Sequence, residues 1–160
     1  MFGDLTDEEL YAKCSDRLIR FAATVVGPAD AEDVMIDGVV AAMTSSHWGA
    51  VDDRVAYLYR SVLNAGRMWL RSDARRRSRE ERSTASRTRP VEPSAYDPVP
   101  EVRAAVAGLS ARQRAVIFLT YWEDLDERAV AGRLGIGVGS VRRHLHRARR
   151  HIGKELRATL

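Results

Sequence analysis

Apolar residues along this chain recur at three- and four-residue intervals and nowhere alternate, so the pattern reads as helix throughout. Leu10, Cys14, Leu18, Phe21 and Val25 form the first such series. It opens on Thr6-Asp7-Glu8-Glu9, the spacing of a capping box, and stops at Gly27-Pro28. A second helix is predicted from near Asp30 to about Ser45. A third follows the loop SSHWGAVDD and runs from about Arg54 into the arginine run near Arg77. The second helix, DAEDVMIDGVVAAM, is apolar almost all round. Ile36, Val39, Val40 and Met43 form one side, and Val34, Gly38 and Ala41 another. A three-helix lobe does not easily hide both, so one side is expected to meet a protein partner.

The stretch STASRTRPVEPSAYDPVP breaks the pattern. Pro90, Pro93, Pro98 and Pro100 forbid a continuous helix there, and it reads as an extended linker. Helical spacing then resumes. A short helix follows Pro100. Ser110 caps the next, with Gln113 at the capping-box position. Asp126 caps a third that ends at Gly135, and Ser140 caps a last helix running to about Arg157. The expected fold is all-α: two small helical domains, residues 1–82 and 101–160, joined by a flexible linker at residues 83–100.

Composition narrows this picture. With 160 residues there is room for one ordinary domain or two small ones. No apolar run approaches the ~18 residues of a membrane span, and MFGDLTDEEL lacks the order of a signal peptide, so a cytoplasmic protein without membrane insertion is expected. Cys14 is the only cysteine, which excludes a disulfide within the chain and a multi-cysteine zinc site. The net charge of +4 is unevenly spread. Acids gather at Asp4 to Glu9, Asp30 to Asp37 and Glu123 to Glu127, and arginines at Arg71 to Arg89 and Arg142 to Arg157. Arginine forks onto phosphates and guanine edges better than lysine does.

The basic cluster near the C-terminus has a fold to sit on. Helix, glycine turn, helix is the layout of a helix-turn-helix. Val130, Ala131 and Leu134 offer packing, Gly135 supplies a turn that favours positive φ, and Ile136 and Val141 fill the crossing. At 100° per residue, Val141, Leu145, Ala148 and Ile152 share one face of the last helix, and Arg143, His146, Arg147 and Arg150 lie opposite. Such a helix suits the DNA major groove. Ser140, Arg142, Arg143 and His146 would reach base edges; Arg147, Arg149, Arg150 and Lys154 would touch phosphates. His144, His146 and His151 diverge in phase and are not expected to bind metal.

The third helix carries a second candidate face. Val55, Leu58, Tyr59, Val62, Gly66, Trp69 and Leu70 face the core, while Tyr57, Arg60, Asn64, Arg67, Met68, Arg71 and Arg75 face away. An aromatic, an amide and several arginines in one stripe suit single-stranded nucleic acid, in which bases stack and arginines follow the backbone. Trp48 in the preceding loop is expected to add a stacking platform, although covering the end of the bundle would equally explain Trp48 or Tyr57 taken alone.

In this order the two lobes resemble an RNA polymerase sigma factor of the extracytoplasmic-function (ECF) group, of the sigma-E-like type found in actinobacteria. LIRFAATVVGPADAEDVMIDGVVAAM resembles the family's region 2, and VAYLYRSVLNAGRMWLR its −10-recognising and melting helix. LSARQRAVIFLTYWEDLDERAVAGRLGIGVGSVRRHLHRARR resembles region 4, which reads the −35 element. The resemblance implies that Asp33, Ile36, Asp37 and Val40 dock on the β′ clamp helices of core RNA polymerase and that region 4 touches the β flap. It implies that Asn64 and the Trp48 loop meet unpaired promoter DNA, and that an anti-sigma protein is a further partner. Ile36, Ala41, Gly38, Gly66, Ser61 and Leu63 depart from the family's usual residues, the two glycines weakening their helices by about 1 kcal/mol each relative to alanine.

Two alternatives stand beside this reading. One is a helix-turn-helix regulator that binds duplex DNA as a dimer. The other is a degenerate sigma-like protein that binds polymerase without initiating transcription. An enzyme is not expected: there is no Gly-rich phosphate loop, nucleophile elbow or metal-ligand spacing, and hence no cofactor and no small-molecule substrate.

Overall fold

The computed structural model describes residues 4–82 and 100–159. The expected linker lies outside the described residues except for Pro100, which opens a helix rather than ending a tether. Proline's fixed φ and missing amide suit a first helical position.

The N-terminal lobe is α1 (Asp7–Val26), α2 (Ala31–Met43) and α3 (Arg54–Arg82). The expected capping box forms on α1: Thr6 Oγ1 accepts from the Glu9 amide at 3.2 Å and Glu9 Oε2 accepts from the Thr6 amide at 2.9 Å. Gly27, at φ +93°, ends that helix. α3 continues five residues past the expected end at Arg77. Arginine and glutamate are good helix formers, and the carboxylate of Asp73 accepts from Arg76 at 2.6 Å and forms an ion pair with Arg77 at 3.0 Å, one turn on.

The C-terminal lobe is α4 (Pro100–Ala107), α5 (Ala111–Ile117), α6 (Glu127–Leu134) and α7 (Val138–Thr159). The Ser110–Gln113 capping box and the Asp126 cap both form. Ser140, however, does not cap α7. The helix begins earlier, and the Gly137 carbonyl accepts its first amides, those of Ser140 and Val141, at 3.0 and 3.1 Å. α5 runs on into a π-helical turn, Phe118–Trp122, in which the Glu123 amide reaches back five residues to the Phe118 carbonyl. Turns of this kind are rare and concentrate at functional sites.

The two lobes pack together, and their buried side chains form one continuous core. Phe21 of α1 is its hub, edge-on to Tyr59 of α3 at 5.0 Å and to Phe118 of the C-terminal lobe at 5.5 Å.

The glycines within α2 and α3 have a packing reason. A Cβ on Gly38 would stand 2.6 Å from the Cα of Val62, and Ser61 Oγ donates to the Gly38 carbonyl at 2.8 Å. Backbone meets backbone here and cannot give. Gly38→Ala is therefore expected to lower stability by about 1–3 kcal/mol despite alanine's better helix propensity. A Cβ on Gly66 would meet only side chains, Val25 Cγ1 at 2.8 Å and Val26 Cγ1 at 3.4 Å, so Gly66→Ala should cost less. Thermal melts of both variants check the order; a Gly38→Ala protein as stable as its parent contradicts the account.

Candidate nucleic-acid interface

The α6–α7 pair forms the expected helix-turn-helix. Val130, Ala131 and Leu134 are buried against α7, and Gly135 takes the left-handed conformation at φ 66°. The Ile136 amide then donates to the Ala131 carbonyl at 3.1 Å, which closes the end of α6. Val141, Leu145 and Ala148 are buried, while Ile152 and Ile136 are half-buried. Opposite them, Arg142, Arg143, His146, Arg147 and Arg150 are exposed along one face.

Two of these arginines have neighbours that aim them. Arg143 donates from Nη2 to Ser140 Oγ at 3.0 Å. Arg142 donates from Nε to Glu127 Oε2 at 2.6 Å. About two turns further along, Arg149 lies over the ring of the exposed Tyr121, donating from Nε to its hydroxyl at 2.6 Å. Among the described residues no three His, Cys, Asp or Glu side chains gather as metal ligands.

The α3 stripe is only partly open. Asn64, Met68, Arg71 and Arg75 are exposed. Tyr57 is half-buried, its hydroxyl donating to Ser45 Oγ at 3.0 Å. Trp48 corrects its expectation as a stacking platform: it is 6 % exposed, donates from Nε1 to Asp7 Oδ1 at 2.9 Å and lies under the Arg54 guanidinium. Covering the end of the bundle is what it does here, because a large ring beside α1 removes more apolar surface from water than it would in a loop. Arg60 is half-buried against the α6–α7 turn. Arg67 is held below its ordinary pKa by burial and by the charges of Arg112 and Arg71.

On α2 the exposed strip is narrower than expected. Val39 lies inside with Val34, Met35, Gly38 and Ala42, so the side expected to combine Ile36, Val39 and Val40 divides. Of that side, Ile36 and Val40 face out, and the exposed Asp33 and Asp37 lie along the same strip at helical spacing.

Three residues whose pairing no local pattern marks, Arg17, Tyr59 and Glu123, hold the lobes together. Glu123, whose side chain is 4 % exposed, accepts from Tyr59 Oη at 2.7 Å and from Arg17 Nε at 3.1 Å, and its second oxygen pairs with Arg17 Nη2. Burial alone would raise the Glu123 carboxyl, but the bonds from Arg17 and Tyr59 outweigh it and hold the group below its ordinary value. Tyr59 is pushed up, by burial first and then by its bond to the carboxylate. The clamp is therefore fully formed above the ordinary carboxylate range and is lost as pH falls through the lowered Glu123 value. Beside it, Arg133 of α6 lies over the Tyr59 ring at 5.0 Å. Arg114 of α5 donates to the carbonyls of Val106 and Ala107 in its own lobe and of Val25 in the other.

Comparison with known proteins matches this architecture. Residues 100–152 match the family model of sigma-70, region 4. The chain is 30% identical to the RNA polymerase sigma-E factor of Streptomyces coelicolor, over 96% of this chain and 88% of that protein. It is 31% identical to the sigma-E factor of Streptomyces avermitilis, over 96% and 87%. Among solved structures, the sigma factor RpoE in complex with the anti-sigma factor NepR from Bartonella quintana shares the fold at a TM-score of 0.66 and 21% identity, over 94% of this chain and 96% of that one. CnrH in complex with the cytosolic domain of CnrY superposes at a TM-score of 0.61 and 26% identity, over 95% and 88%.

Proposed function

We propose that this chain, which belongs to the extracytoplasmic-function group of RNA polymerase sigma factors, directs core polymerase to promoters by reading two DNA elements with its two lobes. The observation that carries the proposal is the last helix. Its buried strip fixes α7 against α6 across the Gly135 turn, and the cations opposite that strip project where a recognition helix meets the major groove. Arg142, Arg143 and His146, near its N-terminus with Ser140, are assigned to −35 base edges; Arg147 and Arg150 are assigned to phosphates. Arg60, Asn64, Arg67 and Arg71 of α3, with Tyr57, are assigned to the unpaired −10 strand. Trp48 joins them only if that lobe end opens.

The exposed strip Asp33, Ile36, Asp37 and Val40 is assigned to the β′ clamp helices, its two apolar residues flanked along one side by the two carboxylates. Region 4 is assigned a contact to the β flap. An anti-sigma protein is a proposed partner, since both solved relatives are complexed, RpoE with an anti-sigma factor and CnrH with the cytosolic domain of CnrY.

Run-off transcription with purified core polymerase and a library of promoters tests the proposal. Promoter-specific transcripts that need the protein support it. Dimeric binding to palindromic duplex without transcripts moves the chain to the regulator class, and polymerase binding without transcripts to the degenerate class. Within the same assay, Arg143→Ala is expected to lose about 1–3 kcal/mol at one base pair and relax the preference there. Arg150→Ala should weaken all promoters alike and flatten the salt dependence. Base preference unchanged in Arg143→Ala removes that assignment.

A further inference from the structure

The C-terminal half of α7 carries a second cationic feature, past the residues assigned to base edges. Arg150, His151, Lys154 and Arg157 line an open cavity of about 350 Å³, at the small end of the range for ligand sites. Most sites of that size are largely apolar. This one is lined by cations, which points to a compact anion. Arg150, Lys154 and Arg157 follow at steps of four and three residues, so they stack in one column along the helix. Like charges so stacked repel and weaken the helix that carries them. Elsewhere the fold pairs its arginines where a carboxylate is near, Arg142 with Glu127 and Arg76 with Asp73. Here it does not. Glu155, the only carboxylate of α7, lies on another side of the helix. Among the described residues, none of the three cations makes an ion pair or a side-chain hydrogen bond.

Two glycines shape the cavity. Gly153 costs α7 helix propensity relative to alanine, and no core contact requires it. The nearest atom to a Cβ there would be Arg157 Nη2, at 3.7 Å. Unlike Gly38 and Gly66, this glycine leaves room for a guanidinium to fold back along the helix rather than splay into solvent. His151 forms one wall. Its ring lies on Gly108, just past the end of α4, where a Cβ would run into Nε2. That nitrogen is buried with no hydrogen-bond partner. Buried polar atoms left so are rare and mark places where water or an ion completes the contact.

We propose that this cavity binds a compact polyphosphate, a chain of two or three linked phosphates, free or as the tail of a nucleotide. The forks of Arg150 and Arg157 grip phosphate oxygens two at a time, and the Lys154 ammonium between them adds a point charge. Arg157 lies about 21 Å along the helix from Arg143 at about 1.5 Å per residue, further than the roughly 12 Å width of a major groove. The column therefore runs on beyond what a duplex seated on the first turns of α7 would cover. Arg150 is shared with the reading of α7 as a DNA-binding helix; the cavity itself does not depend on that reading.

Isothermal titration calorimetry of the full chain tests it, at fixed ionic strength and without magnesium, with tripolyphosphate, pyrophosphate, adenosine triphosphate and orthophosphate. Tripolyphosphate should bind one to one and about ten-fold or more tighter than orthophosphate, the effect of one further charge-assisted contact. Pyrophosphate should fall between them. Lys154→Ala and Arg157→Ala should each lose about ten-fold. Arg128→Ala, at an exposed cation of α6, removes the same charge and should bind as the parent does. In nitrogen-edited NMR spectra the His151 ring should shift on titration while the His47 ring stays still. Adenosine triphosphate bound like tripolyphosphate identifies the phosphate chain as the recognised part; tighter binding identifies a nucleotide. Equal losses in Arg128→Ala and Arg157→Ala, or several anions bound with His151 unmoved, mean diffuse attraction and overturn the site. A mixed-sequence duplex of about 30 base pairs separates the two readings of this helix. Tripolyphosphate binding without duplex binding keeps the cavity and removes α7 as a DNA reader. Duplex binding that weakens in Lys154→Ala and Arg157→Ala, with no tripolyphosphate bound, makes these residues DNA contacts and overturns the polyphosphate site.

Discussion

Truncating Phe21 to alanine is expected to lower the unfolding free energy by about 3–5 kcal/mol, the range for deleting a buried aromatic ring. The side chain is completely buried and touches two rings belonging to different lobes. Each edge-to-face pair adds about 0.5–1.5 kcal/mol beyond its burial, so the loss belongs at the upper end of that range. For a chain of this size about 2–4 °C accompanies each kcal/mol, which places the fall in melting temperature at roughly 6–20 °C. Because the ring is shared, the single transition of the parent should widen or divide as the lobes lose their common hub. Calorimetry reads both effects. Met68→Ala, at a residue 67% exposed, serves as the comparison and should stay within about 0.5 kcal/mol. A Phe21→Ala melt only slightly below that comparison would mean that the lobes do not share a core in solution.

The second large effect is expected on polymerase binding rather than on stability. Ile36 is 41% exposed on the α2 strip, beside Val40 and on the same face as Asp33 and Asp37. Interface residues of this kind, desolvated by a partner and ringed by polar neighbours, lose 2 kcal/mol or more on disruption. Ile36→Asp should therefore weaken binding to core polymerase by about 30-fold or more, since about 1.4 kcal/mol is ten-fold. Its melting temperature should hardly move. Val39→Asp, a few residues along on the buried side at 5% exposure, should do the opposite and unfold the lobe by placing an unpaired charge in the core. Biolayer interferometry on immobilised core enzyme, alongside melting curves, separates the two. An Ile36→Asp protein that binds core normally removes α2 as the docking surface.

These outcomes track what was legible in the sequence. Caps and stops were legible because their chemistry is local: a hydroxyl and a glutamate three residues apart at Thr6 and Glu9, a carboxylate at Asp126, a glycine in the left-handed region at Gly135. The inward and outward faces of α7 were legible for the same reason, since a 3.6-residue period needs no knowledge of the partner. The start of α7 was misplaced because both Ser140 and Gly137 suit a cap, and only the crossing with α6 decides between them. Trp48 and Val39 depended on which side of their segment met α1 and α3, which spacing alone does not state. The glycines at 38 and 66 look like weaknesses in isolated helices and are close-approach points in packed ones. The clamp lay beyond reach for a further reason. Arg17 and Glu123 are 106 residues apart in sequence, and the turn that brings them together is π-helical, a conformation for which sequence spacing carries no dependable mark.

That turn has a consequence for how such chains change over generations. A π-helical turn holds one residue more than the α-helical turn it replaces, and one residue is about 100° of helix rotation. Losing a single codon between Phe118 and Trp122 would swing the following carboxylate away from α1 and α3, leaving the capping boxes, the Gly135 turn and the cations of α7 as they are. Gaining one would swing it back. How firmly the two lobes cling together becomes a heritable trait separable from the surface that either lobe presents.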